Sequence, residues 1–236
     1  MAEPEEKYQR GMVVVAHADD AEWGCSGTVA KLCAEGWEMV YVLCTDGSKG
    51  SDDPEISSAE LVRIREQEQK DAGKILGLRD VVFLGYEDAM LQPTLELRRD
   101  IAREIRRHRP YLLICQNPVR RLTHSGYLGH PDHYAAGEAA LSAVYPTARD
   151  RLTFPQLLSE GLEPHKVREV WVMDHEDSNQ YVDVSEHLTT AVAALRAHQS
   201  QVDPERADEY LRRGRKQTGE QVGLPYAERF KRFTLG

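Results

Sequence analysis

The sequence reads MVVVAHADDAEWG from Met12 to Gly24, and this stretch decides the fold. Five apolar residues come first, three of them valine. Valine favours strands, and an apolar run without alternating polar positions is typical of a strand covered on both faces. The polar residues that begin at His17 therefore stand at the carboxyl end of a buried strand.

Four further apolar runs resemble the first, and segments with helical spacing lie between them. The runs are Met39–Cys44, Val81–Leu84, Leu112–Cys115 and Val170–Met173. The helical segments are Ser26–Glu35, Ser58–Leu76, Leu95–His108, His133–Val144 and Val184–Gln199. Strands that alternate with helices in this way predict right-handed crossovers. The expected fold is α/β, an open Rossmann-like, mostly parallel sheet with helices on both faces.

The chain of 236 residues has the length of one domain with a single core. Its last part, Pro204–Gly236, is predicted to be a charged helix and a terminal segment that packs on the body through Tyr226, Phe230 and Phe233. We see no internal repeat, low-complexity tract or linker. The sequence thus predicts one domain over residues 1–236.

Charge and composition disfavour several classes of protein. The net charge of −9 argues against a nucleic-acid partner, which requires a basic surface. No apolar run approaches the roughly 20 residues that span a bilayer, and the charged N-terminus lacks the apolar core of a secretion signal. The four cysteines have no CxxC spacing and are predicted to be reduced core residues. We expect a cytoplasmic protein without a membrane partner.

Polar residues follow three of the predicted strands, at the edge where open α/β sheets bind ligands. His17, Asp19 and Asp20 follow the first strand, and Thr45–Gly50 follows the second. Adjacent carboxylates at a buried strand end repel each other unless a cation or hydrogen-bond donors compensate. A divalent metal would supply that compensation. Taken alone, the cluster is also explained by an aspartate that caps the next helix and a histidine that hydrogen-bonds locally.

A second cluster, His130-Pro131-Asp132-His133, lies beyond a loop after the fourth strand. Pro131 suits the first turn of a helix, and Asp132 is favourable near its N-terminus, so this cluster alone is also explained as an ordinary helix start. Together the two clusters offer two ring nitrogens and a carboxylate from distant parts of the chain. Three protein ligands are typical of catalytic zinc, whereas structural zinc usually has four.

Five segments in a fixed order carry a family resemblance. They are Ala16–Glu22, Thr45–Ser51, Arg65–Glu68, His130–His133 and Ala197–Gln201. These segments resemble, in turn, the Ala-His-Pro-Asp-Asp-x-Glu motif, the glycine-containing loop, the Arg-x-x-Glu helix, the His-x-Asp-His motif and the late His-x-Ser-Gln segment of the zinc-dependent N-deacetylases that include the LmbE-like and PIG-L proteins. The similarity extends over roughly residues 11–201. One departure is Ala18, which stands where the family has proline and leaves the turn with fewer restraints.

The resemblance implies a role for each polar residue of the two main clusters. The implied metal ligands are His17, Asp20 and His133. The metal would be zinc, although two histidines and a carboxylate also accept iron(II) and other divalent ions. Asp19 would be the general base that takes a proton from the attacking water. His130 would polarise the carbonyl and stabilise the oxyanion, and Asp132 would orient His130 or its neighbour.

The implied function is that of a metal-dependent hydrolase that removes the acetyl group from a small N-acetylated amine of the N-acetylglucosamine type. An amidase acting on a larger thiol-sugar conjugate would use the same chemistry and stays open. A non-catalytic module that binds a metal or a sugar also stays open. The expected partner is a small N-acetylated molecule, and relatives suggest a homo-oligomer.

Several other residues are candidates whose roles the sequence leaves open. Arg65 would hold substrate, orient loop carboxylates, or pair with Glu68 or Asp46 as scaffolding. His198 would approach the metal from a late helix or be a structural histidine. Weaker candidates for contacts with substrate are Arg120, Arg121, Tyr127, Arg168 and His175.

Overall fold

The described part of the chain, residues 9–120 and 128–236 of a computed structural model, forms one sheet of seven strands in the order β3-β2-β1-β4-β5-β7-β6. The strands are β1 (Arg10–Val15), β2 (Glu38–Thr45), β3 (Asp80–Tyr86), β4 (Leu112–Cys115), β5 (Glu169–Met173), β6 (Gln180–Asp183) and β7 (Ala227–Thr234). The first five strands are parallel, and β7 runs antiparallel between β5 and β6. The predicted open, mostly parallel sheet is confirmed.

Helices cover both faces of this sheet, as predicted. They are α1 (Asp20–Ala34), α2 (Ser58–Leu76), α3 (Leu95–His108), α4 (Pro131–Ser142), α5 (Gln156–Ser159), α6 (Leu188–Leu195) and α7 (Pro204–Glu220). Helices α3 and α4 pack on one face, and α1, α2 and α6 pack on the other. Short helical turns at Ala143–Thr147 and Ser185–His187 precede α5 and α6.

The alternating side chains of β1 explain its unbroken apolar run. Met12 and Val14 pack in the core shared with α3 and α4. Val13 and Val15 pack in the core shared with α1 and α2. Because both faces are covered, the buried positions Met12–Val15 are all apolar, and the polar residues of the site begin only after the strand ends.

The boundaries differ from the predictions in three places. Helix α1 begins at Asp20, six residues before the predicted Ser26, and is broken at Cys25, where φ is −152°. Helix α6 is shorter than the predicted segment Val184–Gln199. The terminal segment is a strand, β7, which pairs with β5 on one side and with the unpredicted strand β6 on the other. Phe230 packs in the core as predicted, whereas Phe233 is exposed. The charged residues between them conceal the strand pattern, because pairing on both sides also holds β7 in the sheet.

No helix in residues 9–120 and 128–236 is both long enough and apolar enough to cross a membrane. Arg121 and Tyr127 lie outside the residues that the structure describes.

Candidate active site

His17 follows β1 directly and lies among three carboxylates. Its backbone N–H donates to Asp20 Oδ2 at 2.7 Å, and its ring Nδ1 lies 3.3 Å from the same oxygen. Its ring Nε2 lies 3.0 Å from Asp88 Oδ1 and 3.2 Å from Asp132 Oδ2. Burial opposes a charge on His17, but the hydrogen bonds to Asp132, Asp20 and Asp88 outweigh it and raise its pKa to about 12. The site strongly attracts positive charge.

Asp20 joins the two distant clusters that the sequence singled out. Its Oδ1 lies 3.0 Å from His133 Nε2, while its Oδ2 contacts His17. Burial would raise the pKa of this carboxyl, but the adjacent His133 and His17 hold it well below its usual range. The three predicted metal ligands therefore meet at one point, at the N-termini of α1 and α4.

His130 stands beside this triad as the N-cap of α4. Its Nδ1 accepts a hydrogen bond from the Asp132 N–H at 3.2 Å, and its ring centroid lies 4.6 Å from that of His17 and 5.4 Å from that of His133. Burial and the positive charge of His17 lower the pKa of His130. Donor atoms of the three histidines lie within 4.8 Å of one another, so His130 is a further potential ligand.

Asp132 is fully buried at the start of α4 and accepts hydrogen bonds from two backbone N–H groups, those of Ala89 at 2.8 Å and Leu91 at 3.3 Å. Its nearest imidazole is that of His17, at 3.2 Å, whereas the Nδ1 of His130 lies 3.9 Å away. Asp132 was expected to orient His130 or its neighbour, but the imidazole that it contacts most closely is that of His17.

The donor set fits a divalent cation. Imidazole nitrogens and carboxylate oxygens are ligands of zinc and of other first-row divalent metals. A second group with donor atoms within 4.8 Å consists of His17, Asp88, His130 and Asp132. The carboxylates around His17 would favour a bound cation for the same electrostatic reason that they raise the pKa of its ring.

Asp19 lies next to the triad in a constrained backbone conformation. Its φ is 84°, in the left-handed region that is uncommon for residues other than glycine. It occupies the N-cap position of α1, but its side chain makes no capping hydrogen bond. Burial, together with the charge of Asp20, raises the pKa of Asp19 to about 7. Helix capping therefore does not explain this residue.

A network of buried polar side chains holds the backbone of Asp19 in place. The Asp19 N–H donates to Gln69 Oε1 at 3.3 Å, and Gln69 Nε2 donates to Glu22 Oε1 at 3.0 Å. His198 Nε2 lies 3.2 Å from Glu22 Oε2, and all three of these supporting side chains are fully buried. Burial opposes a charge on His198, but Glu22 outweighs it and raises its pKa. His198 is thus part of the network that supports Asp19, and its ion-pair partner is Glu22 and not one of the three predicted ligands.

Asp88 belongs to the site but was not predicted from the sequence. It lies two residues beyond the end of β3, contacts His17, and accepts a hydrogen bond from the N–H of Lys49 at 3.2 Å. Burial would raise its pKa, but His17 lowers it. The signal that would have found it is the one used for the other clusters, since Asp88 follows an apolar run at the same edge of the sheet.

Arg65 is a scaffold for the site. Its Nη1 donates to Lys49 O at 3.1 Å and to Asp88 Oδ2 at 3.4 Å, and its Nη2 donates to Ala18 O at 3.2 Å. The Ala18 carbonyl is therefore held by Arg65, in a turn that lacks the family's proline. The side chain pairs with neither Glu68 nor Asp46.

The glycine-containing loop after β2 is tied to the same scaffold and does not cradle a phosphate. Its N–H groups at Ser48 and Lys49 donate to Asp46 and Asp88. Gly47 has φ 66°, and a Cβ there would lie 3.2 Å from the Arg65 side chain. The loop is shaped to let Arg65 pass close to its backbone.

A cavity of about 660 Å³ opens beside the triad, with Asp20 and His133 in its wall. The opposite wall consists of residues from α7 and β7. Arg168 cannot reach this cavity, because it precedes β5 and the site lies at the other end of that strand. His175 accepts a hydrogen bond from the N–H of Asp177 and is not among the residues that line the cavity. Arg120 lies with its guanidinium 5.2 Å from the ring centroid of Tyr134, which is a lining residue.

The fold and the site together define an α/β protein whose donor set at the sheet edge suits a divalent metal. The model of the PIG-L family, described as GlcNAc-PI de-N-acetylase, matches residues 12–144. This match covers more than half of the chain, and the chain belongs to that family. The family predicted from the five motifs is confirmed.

Relatives extend the similarity over nearly the whole chain. A diacetylchitobiose deacetylase of Thermococcus kodakarensis is 33% identical, over 96% of this chain and 84% of that protein. A probable N-acetyl-alpha-D-glucosaminyl L-malate deacetylase of Bacillus anthracis is 31% identical, over 80% of each chain. The solved structure of an N,N'-diacetylchitobiose deacetylase from Pyrococcus horikoshii superposes with a TM-score of 0.88 at 28% identity, over 98% of this chain and 86% of that one.

Proposed function

We propose that this protein is a metal-dependent N-deacetylase that acts on N-acetylglucosamine-type sugars. One observation carries the proposal: His17, Asp20 and His133 converge beside a cavity, and Asp19, which directly precedes Asp20, has a carboxylate that makes no capping hydrogen bond to α1. The relatives, which are named as deacetylases of substrates of this type, support the same reaction.

The metal would be held by His17, Asp20 and His133, with zinc as the proposed ion. Asp20 supports this set because its two oxygens contact the two imidazoles separately. His130 is a weaker ligand candidate because its Nδ1 already accepts the N-cap hydrogen bond. A divalent ion bound there would polarise the amide carbonyl and lower the pKa of water.

The side chains around the ligands would then move the protons of the reaction. The Asp19 carboxylate makes no capping hydrogen bond to α1. It would take the proton from the attacking water and pass it to the leaving amine nitrogen. His130, which is partly exposed beside the triad, would donate through Nε2 to the developing oxyanion. Asp88 and Asp132 would hold the ring of His17 in its orientation, as carboxylates commonly do for metal-binding histidines.

The test is metal content by elemental analysis together with acetate release from N,N'-diacetylchitobiose. We expect about one metal ion per wild-type chain, a loss of metal and activity in His133→Ala and Asp20→Asn, and retained metal without activity in His130→Gln. His187→Ala, on the helical turn before α6, is the control and should resemble the wild type.

Three outcomes would contradict the proposal or parts of it. No bound metal after zinc is supplied would contradict the site. Metal without acetate release from any N-acetylated sugar would contradict the reaction and favour a binding module. Loss of metal in His130→Gln would make His130 a ligand and contradict its proposed role as an oxyanion donor.

The homo-oligomer, the cytoplasmic location and the single domain over residues 1–236 stay predictions of the sequence. Light scattering of the purified chain tests the first of these, because a monomeric mass at working concentration would contradict it.

A further inference from the structure

The cavity extends from the triad to a wall built by the C-terminal part of the chain. Helix α7 contributes Gly214, Gln217 and Thr218, and Gln221 follows at its C-cap. This spacing places the four positions on one helix face. All four lie outside residues 12–144, the part that matches the family model. These four positions are called the α7 face below. They are features of this chain and not of the family model.

Gly214 leaves space on the α7 face. It lies within a helix, where glycine is less favourable than alanine. Among the residues that the structure describes, a Cβ at this position would meet no heavy atom within 4 Å. Packing against the body therefore does not require glycine here. Gly214 itself lines the cavity, so a large side chain at this position would occupy volume that a ligand could use.

Neutral hydrogen-bonding groups dominate the α7 face. Gln217 and Gln221 are exposed and carry amides that can both donate and accept. The Thr218 hydroxyl donates to Gly214 O at 3.1 Å, which leaves its oxygen free to accept. Half-buried Trp23, whose carbonyl accepts a hydrogen bond from Arg215 of α7, lines the same cavity beside this face. Amides and a hydroxyl beside an indole suit a ligand with many hydroxyl groups on an otherwise apolar ring.

The two arginines of the cavity wall are already engaged by carboxylates. Arg215 Nε donates to Glu228 Oε1 at 2.9 Å, and its Nη2 donates to Trp23 O at 2.6 Å. An Nη2 of Arg229 lies 3.8 Å from Asp174 Oδ1. Among the described lining residues there is thus no arginine or lysine without a carboxylate partner, and an anionic group would find no ready counter-charge on this wall.

We infer that the α7 face is a distal subsite for an uncharged, hydroxyl-rich unit attached to the N-acetylglucosamine, a second sugar residue as in diacetylchitobiose, and that Gly214 keeps this subsite open. The inference rests on the proposed deacetylation, which would place the acetamido group at the triad and the rest of the substrate towards α7. The size of the cavity agrees with this, since about 660 Å³ lies within the range of pockets for ligands larger than one small ring.

The experiment compares Gly214→Leu with the matched control Gly214→Ala on two substrates, N-acetylglucosamine and N,N'-diacetylchitobiose. Leucine is compatible with the helix but fills the open space, whereas alanine adds only a Cβ that meets nothing. We expect Gly214→Leu to lower kcat/KM for the disaccharide by about tenfold or more, with the value for the monosaccharide within about threefold of Gly214→Ala. Gln217→Ala should raise KM for the disaccharide and leave kcat unchanged.

Equal losses on both substrates, or no loss on the disaccharide, would overturn the subsite. So would faster wild-type turnover of N-acetylglucosaminyl-malate than of diacetylchitobiose, because the malate unit is anionic.

Failure of the proposed function has a different signature, which is no acetate release by the wild type from any of these compounds. Isothermal titration with N,N'-diacetylchitobiose then tests the subsite directly. Binding to wild type and Gly214→Ala that is lost in Gly214→Leu supports it, and no binding to wild type overturns it.

Discussion

The two walls of the cavity are built in opposite ways. The wall that carries the triad consists mostly of buried charged groups that contact one another; His17 alone contacts three carboxylates. The α7 face consists of exposed amides, a hydroxyl and a glycine with empty space beside it. The first wall lies within the residues that match the family model, and the second lies beyond them.

The two walls differ in their proposed roles: the first carries the groups that would react, and the second carries groups that would recognise the rest of the substrate. Groups that must act on a reacting bond need fixed positions, and buried hydrogen bonds from several elements supply them. Groups that recognise the rest of a substrate can be changed singly, because few neighbours depend on them. We therefore expect substitutions in the triad wall to affect chemistry and folding strongly, and substitutions on the α7 face to affect mainly the choice of substrate.

Asp19→Asn gives the largest expected effect on the triad wall. Removal of the proposed base should lower kcat by about 10²–10⁴-fold, while the metal content stays near that of the wild type because Asp19 is not a proposed ligand. Acetate release and elemental analysis measure the two quantities. Asp177→Asn, in the connection between β5 and β6, is the control and should change neither. Loss of metal in Asp19→Asn would mean that Asp19 is a ligand.

Arg65→Met should weaken the scaffold of the same wall. Removal of the guanidinium leaves buried Asp88 and the carbonyls of Ala18 and Lys49 without this donor. The free energy of unfolding should fall by about 3–5 kcal/mol, which urea titration measures. Arg63→Met, an exposed arginine on the same helix, should change it by less than about 0.5 kcal/mol. Equal stability of the two variants would show that Arg65 is not a scaffold.

Gln69→Met tests the network that supports Asp19. Methionine has a similar volume but cannot accept from the Asp19 N–H or donate to Glu22. We expect kcat to fall by about 10–100-fold with KM and metal content unchanged, because the base loses its orientation. Gln67→Met, at an exposed position of α2, provides the matched comparison. A drop in stability without a change of kcat would assign Gln69 a purely structural role.

Gly214→Ala has the smallest expected effect and lies on the α7 face. The free energy of unfolding should rise by about 0.5–1 kcal/mol, since the new methyl group meets nothing and alanine favours the helix. Thermal or urea denaturation measures this. Gly219→Ala, on the same helix, should destabilise instead, because its Cβ would lie 2.4 Å from Leu224 O. Destabilisation by Gly214→Ala would mean that the space beside it is not open.

Local patterns explain why much of the site was predictable. Apolar runs define buried strands, and the residues after such runs in a parallel sheet meet at one edge, so this rule groups the two polar clusters. The choice of His17, Asp20 and His133 within the clusters came from the family resemblance, and the structure brings these three side chains together. Asp88 obeys the same rule, since it stands two residues beyond the end of β3, and it was equally predictable. The partner of Asp132 was not predictable in this way, because its contact with His17 depends on how closely α4 approaches β1.

The sequence was sufficient to predict the mostly parallel α/β sheet, the family and the residues that converge on the candidate metal site, because strand burial and short motifs are encoded by neighbouring residues. The tertiary structure supplied what no local pattern contains. It placed the charged segment β7 inside the sheet, made Arg65 the support for the Ala18 turn, put His198 in the buried network next to Asp19, and made α7 line the same cavity as Asp20 and His133. Each of these depends on contacts between residues far apart in the chain, which form only when the whole core is assembled.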